Sequence, residues 1–156
     1  MVQMTRILAI SISAALLLAL GACSSNPMAA PDDVQAAPPD ATHLPSGLAY
    51  KVLRAGDGDV HPQLTDTVVV NYIGWTTDGR KFDSSYDTEG GAHPASFTVG
   101  GLIKGWQEAL PLMVMGEKIR VWIPAEMAYG EHPVREGAPA GELVFDIELL
   151  VIKPSG

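Results

Sequence analysis

The residue types that carry covalent or metal chemistry are few in this chain and poorly spaced for it. Of the four histidines, His61, His93 and His132 each precede a proline in loop-like sequence, and with His43 they show no metal-site spacing. Ser84 and Ser85 have no neighbouring histidine, and no Gly-x-Ser-x-Gly elbow exists. No Walker or dinucleotide fingerprint is present, and Gly100-Gly101 alone is a helix entry rather than a phosphate cradle. The expectation is therefore no metal and no cofactor. Most acids fall on turns and outward strand positions, the usual solvated arrangement, which does not by itself exclude a catalytic carboxylate pair. Asp83 stands apart, directly after Phe82 and before two serines. It could be a catalytic acid, a metal ligand, or a carboxylate that holds a loop in shape. The other notable set is aromatic: Tyr72, Phe82, Trp106, Tyr129 and Phe145 occupy inward-facing or loop positions, as a pocket or as ordinary core.

The elements that must position these residues are mainly strands. Leu48 to Leu53 is a short apolar run closed by Arg-Ala-Gly-Asp-Gly-Asp. Thr67 to Trp75 places Val68, Val70 and Tyr72 on one face at period two, and Thr77-Asp78-Gly79-Arg80 supplies a hairpin turn. Ser96 to Val99 alternates briefly. Lys118 to Ile123 turns Ile119, Val121 and Ile123 inward and Lys118, Arg120 and Trp122 outward. In Leu143 to Ile152, Phe145, Ile147 and Leu149 share one face while Asp146 and Glu148 share the other. One helix is expected, Ile103 to Leu110, preceded by Gly100-Gly101 and stopped by Pro111, with Ile103, Trp106 and Leu110 facing the sheet. The fold class is α+β: an antiparallel β-sheet wrapped around one short α-helix. Trp106 would form the floor of any hollow between them.

The first 44 residues read differently. An uncharged apolar run, Ile7 to Leu20, follows Arg6. Its 14 residues suit a signal-peptide core better than a membrane-spanning helix, which needs roughly 20. It ends in Leu20-Gly21-Ala22-Cys23, which is similar to a bacterial lipobox. That likeness implies cleavage after Ala22, lipidation of Cys23 and a membrane contact through the lipid anchor; the alternative is an ordinary secreted protein with a stray cysteine. Ser24 in the next position favours an outer-membrane destination facing the periplasm in a Gram-negative cell. Cys23 is the only cysteine, so no intramolecular disulfide can form. Residues 23–44 are rich in Pro, Ala and Asp and are expected to be a disordered, extended tether. The domain plan is a signal peptide over 1–22, the tether over 23–44 and one folded domain over 45–156. A net charge of −8 argues against a nucleic-acid partner.

Five segments in order and spacing carry a family likeness. They are Val-Asn-Tyr72-Ile-Gly; Asp-Gly-Arg-Lys-Phe82-Asp83-Ser-Ser; Gly-Leu102-Ile103-Lys-Gly-Trp106; Ile-Pro-Ala-Glu-Met-Ala-Tyr129-Gly; and Leu-Val-Phe145-Asp-Ile-Glu-Leu-Leu. Together they resemble the FKBP-type peptidyl-prolyl isomerases, from about Pro45 to Lys153. The resemblance implies an FKBP-like fold and acceleration of rotation about Xaa-Pro bonds in extracytoplasmic polypeptides, with macrolide inhibitors as possible ligands. It implies that Tyr72, Phe82, Leu102, Ile103, Trp106, Tyr129 and Phe145 bind the substrate. Among the catalytic set it places the Ile103 N–H and the Tyr129 hydroxyl as donors to substrate carbonyls. Asp83 would be a buried carboxylate at the pocket edge, accepting from the Tyr72 hydroxyl.

Three positions depart from the family pattern. Thr88 stands where many members carry an arginine that pairs with the site aspartate. Ala95 replaces an aromatic two residues before Phe97. The flap from Glu131 to Gly141 is shorter and more polar than usual, with His132 near the expected rim. The competing reading is a membrane-tethered proline-binding chaperone or scaffold module with little turnover. A monomer is expected in either case.

Overall fold

The computed structural model describes residues 28–86 and 91–156. Seven strands form one antiparallel sheet: β1 (Thr42–His43), β2 (Ala49–Arg54), β3 (Thr67–Thr76), β4 (Lys81–Ser84), β5 (Ala95–Thr98), β6 (Lys118–Ile123) and β7 (Leu143–Lys153). Their order is β1-β2-β6-β7-β3-β4, and β5 also pairs with β3. β3 and β7 share the longest ladder, from Thr67 opposite Lys153 to Thr76 opposite Leu143, with a register shift at Val69/Val70. The hairpin turn lies where Asp78-Gly79 stands: Gly79 takes φ +84°, and the Thr76 N–H donates to the Arg80 carbonyl at 3.0 Å.

Helix α1 (Lys104–Ala109) is one residue shorter at each end than the apolar spacing suggests. Ile103 is its N-cap in an extended conformation, φ −60° and ψ 153°. At the other end Pro111, which lacks an N–H, leaves Leu110–Leu112 as a 3₁₀ turn. Where α1 meets the sheet at residue 105 only glycine fits, because the Ile123 side chain occupies the space a Cβ would need. The main core lies between α1 and the concave face: Val68, Val70, Trp106, Leu110, Ile119, Val121, Phe145, Ile147 and Leu149 are all buried there.

The outer face of the same sheet carries a second core. Ile73 and Trp75 of β3, Trp122 of β6 and Val144 of β7 point away from the helix, and all four are buried. What covers them is the segment 28–41, through Met28, Ala30, Val34, Ala37 and Ala41. The expectation of a disordered tether over residues 23–44 is therefore corrected for its described part. Pro31 and Pro38 each open a tight turn, with the Val34 N–H donating to the Pro31 carbonyl at 3.1 Å and the Ala41 N–H to the Pro38 carbonyl at 3.0 Å. Asp33 is not a solvating charge: its carboxylate pairs with Arg120, and its carbonyl accepts the Trp122 indole N–H at 3.0 Å. Asp40 pairs with Lys51 at 2.7 Å. Composition suggested disorder because the segment has few large apolar residues. The surface is supplied by the sheet instead, where two outward tryptophans would otherwise face water. Residues 1–27, with Cys23 and the apolar run before it, lie outside the described residues.

Candidate functional site

A hollow of about 150 Å³ opens between α1 and the concave face. Its walls follow from strand register. Tyr72 and Phe145 point inward from β3 and β7, where Tyr72 lies opposite Ile147 and Phe145 opposite Gly74. Gly74 is the key small residue: a Cβ there would stand 2.7 Å from the Phe145 ring and 2.8 Å from the Phe82 ring. Its missing side chain lets Phe82, on β4, meet Phe145 edge-on at 5.4 Å.

The other rings close the set. Trp106, at the base of the hollow and 3% exposed, lies edge-on to Tyr72 at 5.3 Å and to Phe145 at 5.4 Å. Edge-to-face contact pairs the positive rim of one ring with the negative face of another, which fixes orientation as well as area. Phe97 from β5 completes the set, 6.0 Å from Tyr72 and 6.1 Å from Trp106. Sequence reasoning left Phe97 out of the site. The signal was present in the alternation of Ser96-Phe97-Thr98, but its direction depends on β5 pairing with β3 so that Phe97 lies opposite Val68.

Every residue expected in the site lines this hollow: Tyr72, Phe82, Asp83, Leu102, Ile103, Trp106, Tyr129 and Phe145. Ile103 sits at the mouth as N-cap of α1, and its N–H has no acceptor among the described residues. The first N–H groups of a helix have no partner within it, so this donor is free to face a ligand. Tyr129 follows the 3₁₀ turn Ala125–Met127 and is half exposed. Gly130 (φ +86°) turns the chain behind it, and the Gly141 N–H donates to the Gly130 carbonyl at 2.9 Å, pinning the base of the flap.

Asp83 accepts the Tyr72 hydroxyl at 2.9 Å and its neighbour's N–H, from Ser84, at 2.8 Å. It is exposed rather than buried, which corrects one expectation: water supplies much of the compensation that a buried carboxylate would need. Thr88 lies outside the described residues. Burial raises the Tyr72 hydroxyl well above the usual tyrosine range, and the Asp83 hydrogen bond and charge add to it. Tyr129 is raised for the same reasons, burial first and the Asp83 charge second. Both hydroxyls therefore stay protonated as donors across the physiological range. A second, wider hollow of about 360 Å³ shares Phe82, Asp83 and Tyr129 and extends under the flap to Val134, Arg135, Ala138 and Pro139. His132 is exposed and lines neither hollow. Among the described residues no group of three or more His, Cys, Asp or Glu side chains could hold a metal ion.

A short helix gripped by an antiparallel sheet, with an aromatic hollow between them and hydrogen-bond donors at its mouth, defines an apolar, aromatic-lined class of site. The chain belongs to the FKBP-type peptidyl-prolyl cis-trans isomerase family, whose sequence model matches residues 58–150. It is 48% identical over 110 residues to the FKBP-type isomerase FkpA of Escherichia coli, covering 70% of this chain and 39% of that protein. The crystal structure of FkpA superposes with a TM-score of 0.67 at 44% identity, over 76% of this chain and 54% of that one. The outer membrane protein MIP of Legionella longbeachae is 46% identical over 113 residues, 70% of this chain and 46% of the relative. A peptidyl-prolyl isomerase structure from Pseudomonas syringae superposes with a TM-score of 0.66 at 34% identity, covering 76% of this chain and 84% of that one. The chain thus spans less than half the length of the curated relatives FkpA and MIP.

Proposed function

We propose that this chain is a peptidyl-prolyl cis-trans isomerase acting on proline-containing polypeptides outside the cytoplasm. The observation that carries the reading is the ring of Tyr72, Phe82, Phe97, Trp106 and Phe145 around a hollow whose mouth holds the Ile103 N–H and the Tyr129 hydroxyl. An Xaa-Pro bond must cross a barrier of ~20 kcal/mol, because rotation breaks amide resonance. No covalent bond is made, so no nucleophile is required. A planar amide loses charge separation as it twists, and an apolar wall favours the twisted form over the planar one. Trp106 is the floor under the proline ring, the other rings are its walls with Leu102 at the edge, and Ile103 and Tyr129 hold the flanking carbonyls. Asp83 acts through Tyr72, fixing that ring and the polarity of the rim.

Cleavage after Ala22 and lipidation of Cys23, hence an envelope location with the domain tethered to a membrane, are part of the same proposal. They rest on the Leu-Gly-Ala-Cys sequence and the apolar run before it. Similarity to the outer membrane protein MIP of Legionella longbeachae supports an envelope setting. Among the described residues no helix is long and apolar enough to cross a membrane.

The test is protease-coupled isomerisation of a short Xaa-Pro peptide, with and without a macrolide such as rapamycin. A catalysed rate that Trp106→Ala reduces supports the enzyme. The second reading, a proline-binding chaperone or scaffold module, is favoured by the flap, whose exposed segment Glu131-His132-Pro133-Val134-Arg135-Glu136 offers little apolar cover. Peptide binding without a rate above background would select it.

A further inference from the structure

The segment 28–41 occupies the face of the sheet opposite the hollow. Ile73 and Trp75 project outward from the same strand that sends Tyr72 inward, and Trp122 projects outward beside Val121. Three kinds of contact hold the segment there. Val34 and Ala41 are buried against the tryptophans. The Trp122 indole N–H is bound by the Asp33 carbonyl. The Arg120 guanidinium, only 14% exposed, bridges Asp33 on the segment and Asp146 on β7, the latter by two hydrogen bonds at 2.6 and 2.9 Å.

Apart from Met28 at its start, the side chains the segment contributes are small: alanines at 30, 37 and 41 and one valine. The sheet beneath has its own ladders and its own core on the other face, so its fold does not rest on the segment alone. After residue 41 the chain is fastened independently, by the β1–β2 pairing of Thr42 with Tyr50. The segment can therefore leave the sheet without carrying the domain with it.

We propose that residues 28–41 form a strap that sets how far the domain stands from a lipid surface and which way its hollow faces. The inference rests on the reading of Cys23 as the lipidated residue. With the strap docked, only the five Cα steps from Cys23 to Met28 separate lipid and domain, at most about 18 Å of chain. With the strap released, the free chain runs from Cys23 to Thr42, at most about 68 Å. The docked state draws the outer face of the sheet toward the membrane and turns the hollow away from it, toward polypeptides in the aqueous compartment. The released state lets the domain reach further and tumble.

The test uses the full lipidated chain in vesicles. Lipidation consumes Cys23, so a cysteine introduced by Val134→Cys, at a residue 82% exposed on the hollow side, is the only thiol left to label. Energy transfer from that label to acceptor lipids reads the height of the hollow. Hydrogen exchange over residues 28–41 reports strap docking, and exchange over β6 and β7 reports folding. Val34→Asp is expected to raise exchange across 28–41 at least tenfold, leave β6 and β7 protected, and change transfer efficiency from a single value to a broad distribution. Val34→Ala, a milder change at the same buried position, is expected to give a smaller change in the same direction with β6 and β7 still protected. Transfer that stays identical to wild type while the strap exchanges freely would overturn the proposal. Failure of the wild-type chain to float with vesicles, or floating that persists in Cys23→Ser, would overturn the anchor reading and the proposal with it. Floating with unchanged height would overturn the strap alone.

Discussion

Replacing Trp106 tests the site most directly, because the same side chain is both core and floor. Truncating a buried aromatic to alanine costs about 3–5 kcal/mol, the lost transfer energy plus the void left behind. Here the lower part of that range is expected, since the void opens into the hollow and water can fill it rather than leaving it sealed. Edge-on contacts with Tyr72, Phe97 and Phe145 are lost as well, each worth about 0.5–1.5 kcal/mol in favourable cases and already partly counted in the total. Against a typical stability of about 5–15 kcal/mol, Trp106→Ala remains folded at 25 °C but melts earlier. Substrate loses less free energy than the fold does, but that loss falls directly on the rate. A proline ring exposes three methylenes worth about 0.8 kcal/mol each when fully buried, and a floor covers about half of that area. The loss is about 1–2 kcal/mol at the transition state, or roughly 5- to 30-fold in kcat/KM. Trp106→Phe keeps a ring against Tyr72 and Phe145 and should lose only a few-fold. The assay is protease-coupled isomerisation at 10–15 °C, with circular dichroism as the folding control. Wild-type kcat/KM in folded Trp106→Ala would refute the placement of proline on this floor.

Gly74→Ala forces a Cβ against both the Phe145 and Phe82 rings; a loss of about 1–3 kcal/mol in denaturant unfolding and a fall in kcat/KM are expected. Tyr72→Phe removes the donor to exposed Asp83 and should cost about 0.5–1.5 kcal/mol, while Asp83→Val should slow isomerisation without abolishing it; complete loss in a folded Asp83→Val protein would argue for proton transfer instead. The raised Tyr72 hydroxyl gives a signed pH effect. Its neutral form is favoured by folding, so its contribution is fully present below the unfolded value of about 10 and is lost as pH rises beyond it. Melting from pH 8 to 12 should show the wild-type lead over Tyr72→Phe shrinking above pH 10, and a growing lead would contradict the cause assigned. Arg120→Met leaves Asp33 and Asp146 without their shared cation, but the strap can swing Asp33 back into water. Unfolding should therefore fall short of the roughly 3–5 kcal/mol of a fully buried broken pair, with exchange rising first over residues 28–41.

Much of the inner face was legible because strand alternation and helix spacing are local. Val68, Val70 and Tyr72, and likewise Phe145, Ile147 and Leu149, turn toward the helix as period two requires. The helix differed only at its ends, where Ile103 is extended and Pro111 forces a tighter turn. The site residues came from motif likeness, and the structure brings all of them to one hollow. Phe97 escaped notice because its inclusion depends on a non-local pairing of β5 with the first half of β3, while β4 takes the second half. No short window of sequence contains that information.

The strap was illegible for a different reason, and the clue lay elsewhere in the chain. Read by itself, the Pro, Ala and Asp of residues 28–41 cannot bury enough surface to order, and that remains true of the segment in isolation. The sheet changes the balance. Trp75 and Trp122 alternate outward, yet neither belongs on a solvated face, and Arg120 stands between them and Asp146 with a donor to spare for Asp33. Two outward tryptophans on one face of an antiparallel sheet are a demand for cover, and the chain meets it with residues 28–41. The family model matches residues 58–150, so the covering segment lies before the part that model matches. A sequence reading that asks only what a segment can bury within itself will mistake such a strap for a linker. The better question is which outward aromatic, already visible in the strands, has not yet been given a neighbour.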